Sequence, residues 1–182
     1  MSKVINQDSQ ETFFISTVTM SFNPMEDRVV MDSSDKNEKV ERLWLSRRLL
    51  DRLIPSLTDQ LEVKSSNEIP TELEQSLAQE KAELDKQEAE AVKMKIKNPS
   101  WLVTSIQIRR SESNFQLVFL GENTEVSNIT KSQAKFDLAT TNLRQWLNAV
   151  YKIYLKAEWE TKAFPPWLKE SSSKSNKPIL LN

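Results

Sequence analysis

The stretch that decides the fold is LWLSRRLLDRLIPSLTDQL, residues 43–61, in which a short apolar run leads into an amphipathic helix. Ser46 stands where a helix N-cap accepts a backbone N–H. The apolar residues after it recur at spacings of three and four, a period that predicts a helix with one buried face. A strand over Val40 to Leu45 precedes it. Pro55 lies inside the pattern, so we expect a kink or a break there.

A second stretch, FDLATTNLRQWLNAVYKIY at residues 136–154, carries the same apolar pattern 93 positions later, with Thr140 or Thr141 as its N-cap. Two earlier strands also correspond, at an offset of 88, which relates Met20 to Ile108 and Met31 to Phe119. The matches indicate an internal duplication of a βββα unit. The alternative is coincidence, since any strand followed by a core-facing helix shows similar phasing. The apolar positions related by the offset of 93 are Leu43, Leu45, Leu50, Leu53, Ile54, Leu57 and Leu61, with Phe136, Leu138, Leu143, Trp146, Leu147, Val150 and Tyr154.

The first strand of the chain is indicated by a period of two in its apolar residues. Phe14, Val18, Met20 and Phe22 alternate with polar residues, which is the period of a strand with one buried face. In the second unit, the loop predicted between the second and third strands covers residues 121–132 and contains the only glycine of the chain.

These patterns predict one compact α+β domain, a mainly antiparallel sheet of about six strands with two amphipathic helices packed on it. A charged helix connects the two units. The predicted divisions are a flexible N-terminus (1–12), a first βββα unit (13–63), a charged helical connector (64–98), a second βββα unit (99–160), and an aromatic and proline-containing segment with a disordered tail (161–182).

The connector combines strong helix formers with an incomplete heptad pattern. Thr71 and Glu74 form a capping box at its start. One seam, Leu77, Leu84 and Ala91, is apolar, but the seam through Leu73, Glu80, Gln87 and Met94 is mixed. A coiled coil needs both seams to be apolar, so a solvated helix lying against the body is favoured. After it, residues 92–97 alternate strictly and predict a short edge strand with outward lysines.

Composition excludes several kinds of site. The 182 residues include no cysteine and no histidine, so thiolate and imidazole chemistry are excluded. A single glycine rules out glycine-rich phosphate loops. We therefore predict no catalytic residue, no cofactor site and no metal site, and we expect a protein that is not an enzyme. The polar N-terminus and the lack of a long apolar stretch predict a soluble cytoplasmic protein.

Two apolar islands near the C-terminus are candidate partner-binding sites. A proline-containing segment flanked by aromatic residues suits recognition by a groove, although the same aromatic side chains could instead cover the protein's own core. The terminal island could equally complete the protein's own sheet. The candidate residues are Phe164, Pro165, Pro166, Trp167, Ile179, Leu180 and Leu181.

Basic residues form local clusters that define an alternative. The net charge is −1, and the acidic stretch of residues 68–90, at −6, adjoins residues 92–110, at +5, which favours charge complementarity over nucleic-acid binding. The candidate nucleic-acid contacts are Arg47, Arg48, Arg52, Lys93, Lys95, Lys97, Arg109 and Arg110.

The sequence therefore predicts a non-catalytic intracellular protein-interaction or assembly module that forms a homodimer, with a protein partner or a second copy as its ligand and no membrane or small-molecule substrate. The alternative is a nucleic-acid-binding accessory protein, which requires the basic side chains to share one face. A third hypothesis, a metal-dependent carboxylate enzyme, requires three acidic side chains to converge. Candidate acidic pairs such as Asp32 with Asp35 and Glu122 with Glu125 lie in predicted loops and are interpreted as solvated.

Overall fold

A computed structural model describes residues 12–62, 71–123 and 130–174 of the chain. Within these ranges the elements are β1 (Thr12–Ile15), β2 (Thr17–Asn23), β3 (Arg28–Ser34), β4 (Val40–Ser46), α1 (Arg47–Glu62), α2 (Thr71–Leu84), β5 (Ser100–Arg110), β6 (Asn114–Asn123), β7 (Thr130–Ala139), α3 (Thr140–Lys156) and α4 (Pro166–Lys174).

The strands form one mixed sheet of seven strands, in the order β1-β7-β6-β5-β4-β3-β2. β2, β3 and β4 make one antiparallel meander and β5, β6 and β7 make another. β4 joins the second meander in parallel with β5, and β1 lies parallel to β7. The α+β class is confirmed, whereas the prediction of six mainly antiparallel strands is wrong because of β1 and the two parallel junctions.

The sheet is curled. β1 and β2 lie at opposite ends of the strand order, yet only Ser16 separates them along the chain. The Ser16 N–H donates to the carbonyl of Ser34 at 2.8 Å, which ties this junction to the end of β3. The two ends of the sheet must therefore approach each other. The interruption at Ser16 also changes the phase of the alternation: Phe13 and Ile15 are buried, and Phe14, which the sequence pattern assigned to the core, is exposed.

The strand pairings contradict the prediction that one offset of 88 relates both β2 to β5 and β3 to β6. Met20 lies opposite Met31, but Ile108 lies opposite Leu117 rather than Phe119. The turn of the second unit is thus two residues shorter than the first, so β2 and β3 cannot both follow the same offset.

The third strands keep the offset of 93. Met31 lies opposite Leu43, and Leu117 lies opposite Phe136, and all four side chains are buried. Beyond these strands the neighbours also correspond, since β4 is followed in the sheet by β5 and β7 by β1, both in parallel. The two meanders with their helices therefore occupy comparable positions in the curled sheet. A duplication of one unit stays a prediction.

Helices α1 and α3 cover the core as predicted. α1 begins directly after Ser46, whose Oγ accepts the N–H of Leu49 at 3.3 Å. It continues as one helix through Pro55. In α3 the residue at the N-cap is Ala139, and Thr140 is already helical, so the prediction of a threonine cap is wrong. The apolar positions shared by the two helices, which are Leu50, Leu53, Ile54, Leu57, Leu61, Leu143, Trp146, Leu147, Val150 and Tyr154, are all buried.

Three further predictions about secondary structure need correction. Among the connector residues that the structure describes, 71–98, only α2 is helical, and residues 92–97 form no strand. The Ser/Lys/Asn stretch after Leu168, predicted to be disordered, is helical up to Lys174 because Ser171 and Ser172 pack inward at the C-terminal part of α4. The predicted flexible residues 1–11 and tail residues 175–182 lie outside the described residues.

Candidate interaction surfaces

The outer edge of β2 is open to another strand. β2 pairs with β3 on one side, and on the other side no backbone hydrogen bond within the described ranges joins it to another segment. The strand reads Thr-Val-Thr-Met-Ser-Phe-Asn from Thr17 to Asn23 and carries no charged residue. Edge strands are usually protected by charged side chains, prolines or bulges. β2 thus offers unprotected main-chain donors and acceptors.

A groove of about 670 Å³ opens beside this edge, between β2 and the end of β7. β1 pairs with β7 only from Gln133 to Phe136, so the groove-lining residues Asp137 and Leu138 of β7 lie beyond that pairing. Its walls are the first half of β2, the end of β7, one face of α3 and residues 86–91. The charged side chains lining it are Lys86, Glu88 and Asp137. The groove therefore offers two strand edges and a helix face rather than a concentrated set of reactive groups.

The indole of Trp146 lines the same groove. Its side chain is buried, and its Nε1 has no hydrogen-bond partner among the described residues. A buried donor without a partner costs about 1–3 kcal/mol. Trp146 also packs in the core through the buried face of α3, so we attribute its burial to the fold rather than to a ligand.

Residues 86–92 pass beside β2 without pairing with its backbone in the described structure. The N–H of Val92 donates to Oγ1 of Thr19 at 2.8 Å. Because the acceptor is a side-chain hydroxyl, this contact leaves the main-chain groups of β2 unused. β2 continues beyond Thr19 through Met20, Ser21 and Phe22, and the side chain of Ser21 is exposed.

α2 carries its three leucine side chains on the side away from the protein. Leu73, Leu77 and Leu84, which we call the outer leucines, are 52%, 55% and 86% exposed. Successive helical residues are about 100° apart, which places the three leucines within one narrow stripe. The opposite face is buried and mostly polar, and consists of Gln75, Ser76, Gln79 and Ala82.

The polar inner face of α2 is held by Arg144 of α3. Arg144 is buried, donates to Oε1 and to the carbonyl of Gln75, and lies 5.3 Å from the ring centroid of Trp167. Nε2 of Gln79 donates to the carbonyl of Arg144 at 3.0 Å. Burial lowers the pKa of Arg144 to about 10, while Glu74 opposes this shift. Arg144 therefore remains charged at neutral pH and fixes the inner face of α2.

The structure divides the basic candidate residues among separate places. Lys93, Lys95 and Lys97 precede β5 and are exposed, whereas Arg109 and Arg110 end it. The intervening strand separates the two groups by roughly 30 Å along its length. The lysines and these arginines therefore do not share one site.

Two of the arginines are engaged within the protein. Arg47 lies 3.5 Å from a carboxylate oxygen of Asp51 and 6.0 Å from the ring centroid of Trp159. Arg110 donates to the carbonyl of Gln60 at 2.6 Å, which links the end of β5 to the end of α1. Arg48 and Arg52 are exposed on α1.

The aromatic island near the C-terminus covers the protein's own core. Phe164 and Trp167 are both buried, and the ring of Phe164 makes edge contacts with Tyr151 and Tyr154. Nε1 of Trp167 donates to Glu62 at 2.8 Å. Pro166 is the first residue of α4, and the carbonyl of Pro165 just before it accepts the N–H groups of Leu168 and Lys169. Partner binding by Phe164 and Trp167 is thus not supported, because their rings are not accessible.

The second island, Ile179, Leu180 and Leu181, lies outside the described residues. Elsewhere, no group of three acidic side chains in residues 12–62, 71–123 and 130–174 could hold a metal ion. Of the helices described, none is long and apolar enough to cross a membrane. Comparison with family models, curated proteins and solved structures finds no match for this chain.

The sequence analysis did not predict which face of α2 points to solvent, nor that the outer edge of β2 is open. The spacing of Leu73, Leu77 and Leu84 was visible, but an apolar stripe normally indicates the buried face. The signal for its outward position is the pair Gln75 and Gln79, whose buried partner, Arg144, lies far along the sequence. For β2, the absence of charge over Thr17–Asn23 was the available signal.

Proposed function

We propose that this protein is a non-catalytic protein-interaction module that assembles with a second copy of itself through β2. The observation that carries the proposal is the seven-residue edge strand Thr17–Asn23, which has no charged side chain and an outer side without described backbone partners. An open edge of this kind is a template for strand addition.

A second copy is the occupant that this edge suits best. Antiparallel pairing of β2 with β2 is isologous, so each copy contributes the same residues to a twofold interface. When the pairing is centred on Met20, Thr19 of one copy lies opposite Ser21 of the other. No like charges oppose each other, because the strand has no charges. The nucleic-acid alternative has no comparable support, since its lysines lie apart from Arg109 and Arg110.

The test is sedimentation equilibrium of the whole chain and of charge variants on β2. Thr19→Lys/Ser21→Lys places two like-charged pairs across the interface, which costs roughly 1–2 kcal/mol, or about tenfold in the dimer dissociation constant. Thr19→Lys/Ser21→Glu places opposite charges at the same two pairs and is expected to restore the dimer. The matched control is Ser105→Lys/Gln107→Lys, two exposed positions on β5 with the same spacing.

A monomeric wild-type chain at all concentrations overturns the proposal. The proposal is likewise overturned if the Thr19→Lys/Ser21→Lys variant dimerises as strongly as the Ser105→Lys/Gln107→Lys control. The proposal is also overturned if Thr19→Lys/Ser21→Lys and Thr19→Lys/Ser21→Glu weaken the dimer equally. In that case the weakening would not come from like charges facing each other across the strands.

We also propose that the two βββα units arose by duplication. What supports this is the placement of their helices, since α1 begins at Arg47 directly after β4 and α3 begins at Thr140 directly after β7. These starting points differ by the same 93 positions that relate the apolar residues of the two stretches.

A further inference from the structure

The outer leucines of α2 form an apolar surface that no element in residues 12–62, 71–123 and 130–174 covers. Leu73, Leu77 and Leu84 are each more than half exposed. The opposite face docks the helix: Gln75 and Gln79 donate hydrogen bonds to the carbonyls of Leu61 in α1 and Arg144 in α3, and α2 also packs against α4. An amphipathic helix normally turns its apolar stripe toward the core. Here that stripe faces outward, as it does in a helix that binds another helix.

The charge around the stripe identifies what kind of helix would bind. Within Thr71–Leu84 there are four glutamates and one lysine, a net charge of −3. Two copies of α2 facing each other would bring these acidic flanks together, and like charges at such flanking positions oppose pairing. A helix whose apolar seam is flanked by lysine and arginine would meet the glutamates with opposite charge. At about 100° per residue, the charged residues nearest the stripe are Glu80, Lys81, Glu74 and Glu83, and Glu72 lies farther round the helix. Glu74 also acts on Arg144, and Glu83 accepts a hydrogen bond from Nε2 of Gln79.

We propose that the outer face of α2 is the binding site for a basic amphipathic helix of another protein. This inference rests on the interaction function proposed above but uses a different surface and a different partner. The fourteen residues of α2 span about 21 Å, which matches about two heptads of a partner helix. Leucine-type residues of the partner would pack on Leu73 and Leu77, with its basic residues beside the glutamates.

The partner is unlike the second copy that β2 accepts, because the two surfaces differ in charge. β2 is uncharged and self-complementary, whereas the flanks of the α2 stripe are acidic. The protein would thus join a copy of itself at β2 and a basic helix at α2. Failure at one surface leaves the other testable.

The test uses two synthetic helical peptides of about 18 residues, long enough to hold a helix on binding. Both carry a leucine seam; one has lysine and arginine at the flanking positions and the other has glutamate. Fluorescence anisotropy with the full chain is expected to give a dissociation constant about tenfold lower for the basic peptide. Raising the salt concentration to about 0.5 M is expected to reduce that difference, since screening weakens exposed charge pairs.

Matched variants assign the binding to the stripe. Leu73→Gln/Leu77→Gln is expected to abolish binding of the basic peptide and to leave the melting temperature unchanged, because both side chains are exposed. The control is Leu155→Gln, which changes a leucine of similar exposure on α3 and is expected to bind as the wild type does.

Several results would overturn the inference. They are a basic peptide that does not bind, equal binding of the two peptides, and binding that survives Leu73→Gln/Leu77→Gln. A clear fall in the melting temperature of that variant would mean that the chain itself covers the stripe. If Leu73→Gln/Leu77→Gln abolishes the dimer and Thr19→Lys/Ser21→Lys does not, the second copy binds at α2. That result would overturn both this inference and the proposed β2 dimer.

Discussion

Gly121, the only glycine of the chain, shows how closely single residues fit in this sheet. The sequence placed it in a loop, but it lies within β6 opposite Val103, where the pairing with β5 changes register before Ser105. A Cβ at this position would lie 2.1 Å from the carbonyl oxygen of Leu102 and 2.5 Å from Cε3 of Trp101. The residue is glycine because the neighbouring strand occupies the space, not because the backbone needs a left-handed conformation.

We therefore expect Gly121→Ala to lower the free energy of unfolding by about 3 kcal/mol, because neither the backbone oxygen nor the buried indole can move freely. Chemical denaturation monitored by tryptophan fluorescence measures this. Glu122→Ala, at the exposed next position, serves as the control and is expected to change stability by less than about 0.5 kcal/mol. Equal effects of the two substitutions would contradict the steric explanation.

At the scale of elements, β1 is the strand that links the two ends of the sheet, because it pairs with β7 and continues through Ser16 into β2. Its four residues pair in parallel with β7 from Gln133 to Phe136, and Phe13 and Ile15 enter the core. Phe14 points the other way and is 58% exposed, with the Lys135 ammonium 5.6 Å from its ring centroid. Two adjacent phenylalanines therefore have opposite roles.

Phe13→Ala is expected to cost about 3–5 kcal/mol, since it removes a buried aromatic side chain from the core. Phe14→Ala is expected to cost less than about 1 kcal/mol, because only an exposed cation–π contact is lost. Urea titration of both variants measures the difference. If Phe14→Ala proved as costly as Phe13→Ala, the phase of β1 assigned here would be wrong.

The elements also show which parts of the fold a sequence can predict. The buried faces of α1 and α3 follow from local spacing, and Leu50 and Leu143 are both fully buried as predicted. The orientation of α2 depends on Arg144, which is 69 positions from Gln75. No local pattern contains such a contact. The same reason explains why the strand order, with its two parallel junctions, was not predicted.

At the scale of the whole molecule, the two βββα units depend on each other for their cores. β4 needs β5 as its neighbour, and β1 extends from the first unit to pair with β7 of the second. Leu43 lies opposite Trp101 across one of these junctions, and both are buried. The open edge of β2 is also a property of the whole sheet, because β2 is the last strand in the order and β3 is its one neighbour among the described strands.

Because both junctions are needed, a chain cut between Ala89 and Glu90, in a region without helix or strand, is expected to give two fragments that do not fold alone. Fragments 1–89 and 90–182, mixed at equal concentration, are expected to recover the circular dichroism and the cooperative unfolding of the whole chain. Leu43→Asp in the first fragment is expected to prevent this recovery, since it buries a carboxylate at the β4–β5 junction at a cost of several kcal/mol. Arg48→Asp, at an exposed position of α1, is the control and is expected to permit it. Cooperative folding of either fragment alone would show that one unit is sufficient for its own core, and the dependence argued from the two parallel junctions would then be wrong.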